Sequence, residues 1–380
     1  MEENQKGSSR AEELKMLQAL PLEIKIKKTQ LRIREWIEAY GVDGAYVSFS
    51  GGKDSTVLLD IARKMYPNIE AVFINTGLEY PTVRIFAESK ENTTTIRPNM
   101  NFRDVICKYG YPVISKEISG KTYEVRRSIA RGNTNTTRYR QFMGMEKKEN
   151  GEPSEFNIEG YKYLLSAPFE ISDKCCDVMK KRPAHKYNKK KKKTPIIAIM
   201  AEESRNRKTK WIKNGCNAFN LKNPESNPMS FWTEQDVLTY IHKYNIQIAD
   251  AYGQVVVENN GIPGQINIAE LLGDYRGCRY ETTGCKRTGC IFCMFGITQD
   301  RDRFIRLSEQ EPELCDYVMR GGEFNENGMW QPSINGLGYW FVIEWLNING
   351  NLRIGIPNRN KYINQYQTKG TNKLLKSQRS

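Results

Sequence analysis

An α/β fold, a parallel twisted sheet with helices on both faces, is predicted by three features of this 380-residue chain. Short apolar runs alternate with helical patterns, the first such run ends in a Gly-rich turn, and that turn opens directly into a helix. Hydrophobic residues make up 39% of the chain, with 14 Phe, 20 Tyr and 6 Trp, so a sizeable core is available and wholesale disorder is excluded. No apolar run approaches the roughly 18–20 residues that span a bilayer, and the polar residues 1–10 lack the apolar stretch of a signal peptide. A cytoplasmic protein with no membrane partner is expected. In that reducing compartment nine cysteines, an odd count, point to metal or redox chemistry rather than to a disulfide framework.

Residues 11–40 carry Leu14, Leu17, Leu20, Leu22, Ile26, Ile33, Trp36 and Ile37 at helical spacing, broken by Pro21, which predicts two helices in an N-terminal extension over 1–40. A buried strand is expected over 44–49 and a helix over 55–65, then a second strand over 70–75 and a helix over 81–90. A third strand over 94–96, a helix over 102–109 and a further strand over 194–200 continue the alternation. Residues 232–244 read as an amphipathic helix with Thr233 as N-cap. The nucleotide-binding domain is therefore expected over 41–245, with basic insertions at 121–148 and 180–193. A C-terminal α+β region over 246–380 would hold a cysteine cluster and a hairpin at Asn349-Gly350, between strands at 341–345 and 352–354.

The net charge of +14 is concentrated. Residues 121–148 hold eight basic and two acidic residues and residues 180–193 nine basic and no acidic ones, which together exceed the whole net excess. Clustered Lys and Arg release counterions from a polyanion, so DNA or tRNA is an expected partner; a solvated loop is the alternative, chiefly for Lys189 to Lys193. The stretch with Arg126, Arg127, Arg131, Arg138, Tyr139 and Arg140 mixes guanidinium forks with an aromatic ring, as phosphate and base contacts do.

Ser50-Gly51-Gly52-Lys53-Asp54-Ser55 lies between the first strand, which ends at Phe49, and its helix. There glycines let backbone N–H groups approach an anion and the helix N-terminus favours negative charge. The Gly-to-Gly-Lys spacing is too short for a Walker loop. The hexapeptide resembles the PP-loop of ATP pyrophosphatases. Asn75-Thr76-Gly77-Leu78-Glu79-Tyr80-Pro81, with Asn75 in place of the usual Asp, and Glu202-Glu203-Ser204-Arg205-Asn206-Arg207 narrow the resemblance to the phosphoadenosine phosphosulfate (PAPS) reductase family over most of residues 44–300. Trp232-Thr233-Glu234-Gln235-Asp236-Val237 is similar to a supporting segment of the same family. The resemblance implies a nucleotide, ATP or PAPS/adenylylsulfate, held with Mg²⁺ by Ser48, Ser50, Gly51, Gly52, Lys53, Asp54, Ser55, Asn75, Thr76, Gly77, Glu203, Ser204, Arg205 and Arg207. Lys53, Asp54 and Ser55 would be the catalytic residues. A charged helix start is the alternative for 202–207.

Cys290-Ile291-Phe292-Cys293 is a C-x-x-C preceded by Cys278 and Cys285, and Cys175-Cys176 are adjacent. Soft thiolates select zinc or iron–sulfur. The arrangement is similar to that of assimilatory adenylylsulfate reductases, which implies a [4Fe–4S] cluster, with Zn²⁺ or free thiols as alternatives. Its ligands would be Cys175, Cys176, Cys290 and Cys293, with Cys285 as substitute. Cys107, Cys216 and Cys315 are expected to be buried or incidental, and His185 and His242 to serve packing or face solvent. Sulfonucleotide reductases carry a C-terminal Glu-Cys-Gly-(Leu/Ile)-His motif, and no Cys-Gly-His combination follows Cys293 here. The expected activity is therefore that of an ATP pyrophosphatase that adenylates a substrate for sulfur transfer; the combination resembles the relatives that activate nucleic acid for sulfur insertion, the DNA phosphorothioation ATP pyrophosphatase and tRNA thiolation enzymes, which implies a nucleic-acid substrate and a desulfurase or thiol partner. Sulfite release from PAPS or adenylylsulfate and a non-catalytic nucleic-acid-binding role are the alternatives.

Overall fold

The computed structural model describes residues 2–258 and 278–366, and the chain forms two compact units, Met1–Pro98 with Arg182–Cys290 and Asn99–Lys181 with Ile291–Ser380. In the first unit the order is α1 (Glu2–Gln18), α2 (Leu22–Tyr40), β1 (Ala45–Ser48), α3 (Lys53–Met65), β2 (Ala71–Ile74), α4 (Pro81–Ser89) and β3 (Thr93–Ile96). It continues with α5 (Arg182–Lys191), β4 (Thr194–Ile197), α6 (Arg205–Asn214), β5 (Asn217–Ala218), β6 (Glu225–Ser226), α7 (Glu234–Lys243), β7 (Val255–Val257) and β8 (Tyr280–Thr282). Six strands form one sheet in the order β3-β2-β1-β4-β6-β5, parallel except for the β5–β6 edge pair. From β1 the chain runs outward through β2 and β3, then returns to lay β4 on the other side of β1. The order reverses between these two strands, where open α/β sheets hold their ligands at the carboxyl ends.

Strand alternation sorts the core. Ala45, Val47, Ala71 and Phe73 join a large cluster with Trp36 of α2, Val57 and Leu58 of α3, and Trp232 and Val237 at α7. Tyr46 and Val72, one residue out of phase, meet Tyr187 of α5 on the opposite face. Helices thus cover both faces, as expected for this fold class. The Trp232–Thr233 segment ties α7 to α2: Trp232 Nε1 donates to Thr29 Oγ1 (2.8 Å), and the buried Lys25 ammonium pairs with Asp236 (2.6 Å) and donates to Gln18 O (2.7 Å). Thr233 caps the helix reciprocally with Asp236. Breaking such a buried pair by removing one partner costs about 3–5 kcal/mol, and here it would loosen the helix that carries Glu234 toward the candidate site.

The second unit holds the helices Phe102–Tyr109, Lys116–Ala130, Thr137–Met143, Arg303–Gln310, Pro312–Met319 and Tyr339–Gly350, with a short pair of strands, Glu323–Phe324 and Trp330–Gln331. Its interior is aromatic: Tyr111, Phe169, Trp330, Tyr339, Phe341 and Trp345 pack mostly edge to face. The hairpin expected at Asn349-Gly350 does not form. Residues 341–345 lie inside the helix Tyr339–Gly350, and every residue from Tyr339 to Leu346 is buried. A segment packed on all sides has no polar face, so its apolar run carries neither period, and helix and strand look alike in sequence. Asn349-Gly350 closes the helix instead, followed by Asn351 in the left-handed region, and the Asn347 amide clasps both backbone groups of Ile354 (2.7 and 2.8 Å). No described helix is long and apolar enough to cross a membrane.

Candidate nucleotide site

Gly51 adopts φ +72°, and a Cβ there would lie 2.8 Å from Val83 O of α4, so both conformation and space demand glycine. Gly52 then caps α3, which begins at Lys53, two residues earlier than expected, so Lys53, Asp54 and Ser55 form the first turn. Ser50 and Ser55 lock the loop: Ser55 Oγ donates to Gly52 O (2.9 Å), accepts from Ser50 N (3.2 Å) and lies 3.0 Å from Ser50 Oγ, while Gly52 N donates to Ser50 Oγ (3.3 Å). The result is a preformed helix N-terminus of the kind that receives an anion. Ser48 ends β1, half-buried and paired with Val72 and Ile197 in the sheet.

Lys53 is 2% exposed. Its ammonium lies 3.1 Å from Glu234 Oε1, 3.6 Å from Asp54 Oδ1 and 3.2 Å from Lys286 O, to which it donates. Burial disfavours its charge, but Asp54, Tyr252 and Glu234 outweigh that and hold its pKa above the ordinary lysine value. The Asp54 pKa is also raised, by burial, with Glu203 and Glu234 adding to the rise and Lys53 and Arg287 opposing it. Its Oδ1 is shut off from water and has no hydrogen-bond partner, whereas Lys53 has two closer oxygens. An orphaned carboxylate oxygen beside a phosphate loop fits a hard cation such as Mg²⁺.

At the end of β2, Asn75 and Thr76 are buried in a self-bonded turn around Gly77 (φ +74°). Gly77 N donates to Asn75 Oδ1 (3.1 Å), the Asn75 amide donates to Glu88 (2.9 Å), and Glu79 accepts from Thr76 Oγ1 (2.6 Å) and the N–H groups of Thr76 and Leu78. The amide at Asn75 therefore does what an ionised carboxylate in its place could not: it donates to Glu88. At the end of β4, Ser204 caps α6 by accepting from Arg207 N (3.3 Å). Glu203 pairs with Arg207 and lies 3.9 Å from Arg287, and Arg205 is exposed. The segment is a charged helix start, and it also stands at the switch point beside β1. Three positions escaped the sequence reading: Glu234, Tyr252 and Thr288. Tyr252 OH accepts from Lys53 N (3.1 Å) and lies 2.6 Å from Thr288 Oγ1. Glu234 stood within a recognised segment, but nothing local marks Tyr252 or Thr288.

Residues 44–124 and 119–294 match the phosphoadenosine phosphosulfate reductase domain. The chain belongs to that family. The PAPS reductase domain is a nucleotide-binding domain of the PP-loop superfamily. Over 69 residues it is 38% identical to an archaeal protein named Uncharacterized protein MJ0973 from Methanocaldococcus jannaschii, a match that spans 17% of each chain.

In this PAPS reductase-domain chain the candidate metal ligands fall in both units, Cys285 and Cys290 in the first and Cys175, Cys176 and Cys293 in the second. Among the described residues no group of three or more His, Cys, Asp or Glu is gathered to hold a metal. The donor types are those that hold a [4Fe–4S] cluster or Zn²⁺. Locally, Cys176 has a pKa well below an ordinary thiol, through a hydrogen bond from Cys175 against burial, with Lys116 and Lys180 contributing. Phe295 N donates to Cys293 Sγ (3.4 Å). Cys315 is buried and its pKa is pushed up to about 12 by burial and Asp316, so it is a poor nucleophile. Cys107, expected in apolar surroundings, is exposed, because it lies on the outer side of the short helix Phe102–Tyr109 whose buried positions are Phe102, Val105 and Ile106. His242 packs against the Tyr280 ring (4.7 Å) and His185 is exposed.

The basic segments divide by use. Arg126 donates to the carbonyl oxygens of Leu165, Ala167 and Phe169, so it organises the second unit from within. Lys189, Lys190 and Lys191 form the last turn of α5, where cations favour the helix dipole, and Lys193 is tied to Glu70 (2.8 Å). The run is a helix end rather than a loop. Arg127, Arg131 and Arg138 remain exposed.

Proposed function

We propose that this enzyme is an ATP pyrophosphatase that adenylates an acceptor for sulfur transfer, the acceptor being nucleic acid. The observation that carries the proposal is the phosphate loop at the switch point, with the Lys53 amide bonded, among the described residues, only to the Tyr252 hydroxyl and Asp54 Oδ1 buried without a hydrogen bond. An acceptor oxygen attacks the α-phosphorus, forming the new P–O bond as the bond to the β-phosphate oxygen breaks, and pyrophosphate leaves. The loop amides and the Lys53 ammonium hold the phosphates and offset their charge as the leaving group departs. Asp54, with Glu203 or Glu234 nearby in charge, would hold Mg²⁺, which supplies Lewis-acid stabilisation of the pyrophosphate when bound. Ser50 and Ser55 keep the loop in shape.

Mass-spectrometric product analysis after anaerobic incubation with Mg²⁺-ATP tests the proposal, with PAPS and adenylylsulfate plus a thiol reductant as parallel arms. Pyrophosphate from ATP is expected, with AMP where water takes the acceptor's place and with adenylated nucleic acid where single-stranded nucleic acid is added. Sulfite from a sulfonucleotide would replace the proposal by a reductase, a reading that the buried, high-pKa Cys315 does not support. Biological activity unchanged in Lys53→Ala and Asp54→Asn would make the protein a non-catalytic binding module. The sulfur-handling part, including a cysteine-held cluster, is supported by thiol chemistry alone, and iron and acid-labile sulfide analysis of anaerobically purified protein decides it.

A further inference from the structure

Within the second unit a concavity of about 390 Å³ lies beside the helix Lys116–Ala130 and the start of the helix Thr137–Met143, and its lining includes Tyr123, Arg127, Arg131, Asn133, Thr136 and Arg138. Its size lies within the range of small-ligand pockets, about 300–1,000 Å³. Three exposed guanidinium groups meet there. Glu124, the one carboxylate among the lining residues, is already paired with Arg138 (3.2 Å). No acidic residue occurs from Val125 to Met145. The Arg127 guanidinium lies 4.4 Å from the centre of the Tyr123 ring, and Lys174 adds a second cation 5.3 Å from it. The exposed loop residues Asn133, Thr134 and Asn135 stand between Arg131 and Arg138, and are neutral hydrogen-bonding groups.

We infer that this arginine pocket seats single-stranded nucleic acid, with consecutive phosphates on Arg127, Arg131 and Arg138 and an unpaired base against the guanidinium–phenol pair. This rests on the proposed nucleic-acid acceptor and names where that acceptor is held. Guanidinium forks match phosphate oxygens bidentately. An aromatic ring beside an arginine plane is the platform on which unstacked bases lie, and a duplex keeps its bases from such a surface. The segregation of the chain's positive charge into this stretch has a use here that the internally committed Arg126 does not supply.

Fluorescence anisotropy with labelled 12-nucleotide single-stranded DNA and RNA, titrated at several salt concentrations on the full chain, tests the inference. The triple variant Arg127→Ala/Arg131→Ala/Arg138→Ala is expected to raise Kd at least tenfold. It should also flatten the slope of log K against log salt by about 2, since each single-strand phosphate contact contributes roughly 0.7. The corresponding Arg→Lys variant keeps the charge and should retain most of the slope. Lys189→Ala/Lys190→Ala/Lys191→Ala should cost less than the arginine triple. No wild-type binding, an unchanged Kd in the arginine triple, or full competition by low-millimolar inorganic phosphate overturns the inference. Pyrophosphate release from ATP without nucleic acid is measured on the same samples: it should be equal in wild type and triple variant. Absence of pyrophosphate release from wild type both with and without added nucleic acid would sink the pyrophosphatase proposal whatever the binding result.

Discussion

The backbone N–H of Lys53 donates to the hydroxyl of Tyr252 across 3.1 Å, and that hydroxyl sits 2.6 Å from Thr288 Oγ1. A side-chain oxygen thus occupies the amide at the first residue of α3, where a phosphate oxygen would be received. The lysine's own ammonium is held by the same stretch, at Lys286 O.

Tyr252→Phe removes the competing oxygen and leaves the ring in its buried place. A hydrogen bond exchanged in this way is worth about 0.5–1.5 kcal/mol net, so Kd for ATP is expected to fall by roughly two- to tenfold. Isothermal titration checks it, and weaker binding in the variant would mean that the hydroxyl helps to hold the ligand rather than competing with it.

Gly51→Ala forces a side chain into the left-handed region and against Val83 O and Cγ1. It should lower stability by about 1–3 kcal/mol and abolish nucleotide binding. Gly52→Ala, at φ −76° with its new Cβ 3.2 Å from Ser50 Oγ, should cost clearly less. Thermal melting of both, with and without Mg²⁺-ATP, separates them; equal losses would show that the loop tolerates neither or that Val83 yields.

Lys53→Met removes the cation that faces Asp54 and Glu234. Loss of one charged donor from such a site typically slows chemistry by about 10²–10³, which sets the expected fall in pyrophosphate release. A variant within tenfold of wild type would take Lys53 out of the mechanism.

Glu70 receives Lys193 (2.8 Å), Thr94 Oγ1 (2.6 Å) and Tyr187 OH (2.6 Å), joining β2's leading end to β3 and α5. Burial opposes its charge, but these three donors lower its pKa below the ordinary carboxylate value. A lowered folded pKa stabilises fully above the unfolded value of about 4.3 and is lost as pH falls through the folded one. Melting temperature should therefore drop more steeply in wild type than in Glu70→Gln as the pH is taken below about 4.3. Parallel curves would remove Glu70 from the acid transition.

Native-state alkylation followed by mass mapping should label exposed Cys107 quickly and buried Cys315 only after unfolding. Fast native labelling of Cys315 would reopen the thiol route to a reductase.

Much of the nucleotide fold is legible because its signals are local. A β-turn-α junction declares itself by glycine, a short apolar run and a helical period within a dozen residues, and the strands at 71–74, 93–96 and 194–197 and the Thr233 cap lie where these signals put them. The segment 341–345 was misjudged because complete burial erases periodicity. Asn75, Thr76 and Gly77 were found, but their actual partners, Glu79 and Glu88, are set by a turn and a helix rather than by spacing.

By itself the sequence determined the order of elements, the phosphate loop, the glycine at its bend and the two pools of positive charge, since each depends on neighbours along the chain. Only the tertiary structure decided that Tyr252, Glu234 and Thr288 converge on the loop, which of the basic residues are spent on carbonyls or a helix end, and which stay exposed around Tyr123. Those outcomes follow from contacts between residues up to about two hundred positions apart, made to bury apolar surface and satisfy buried polar groups, and no local pattern carries them.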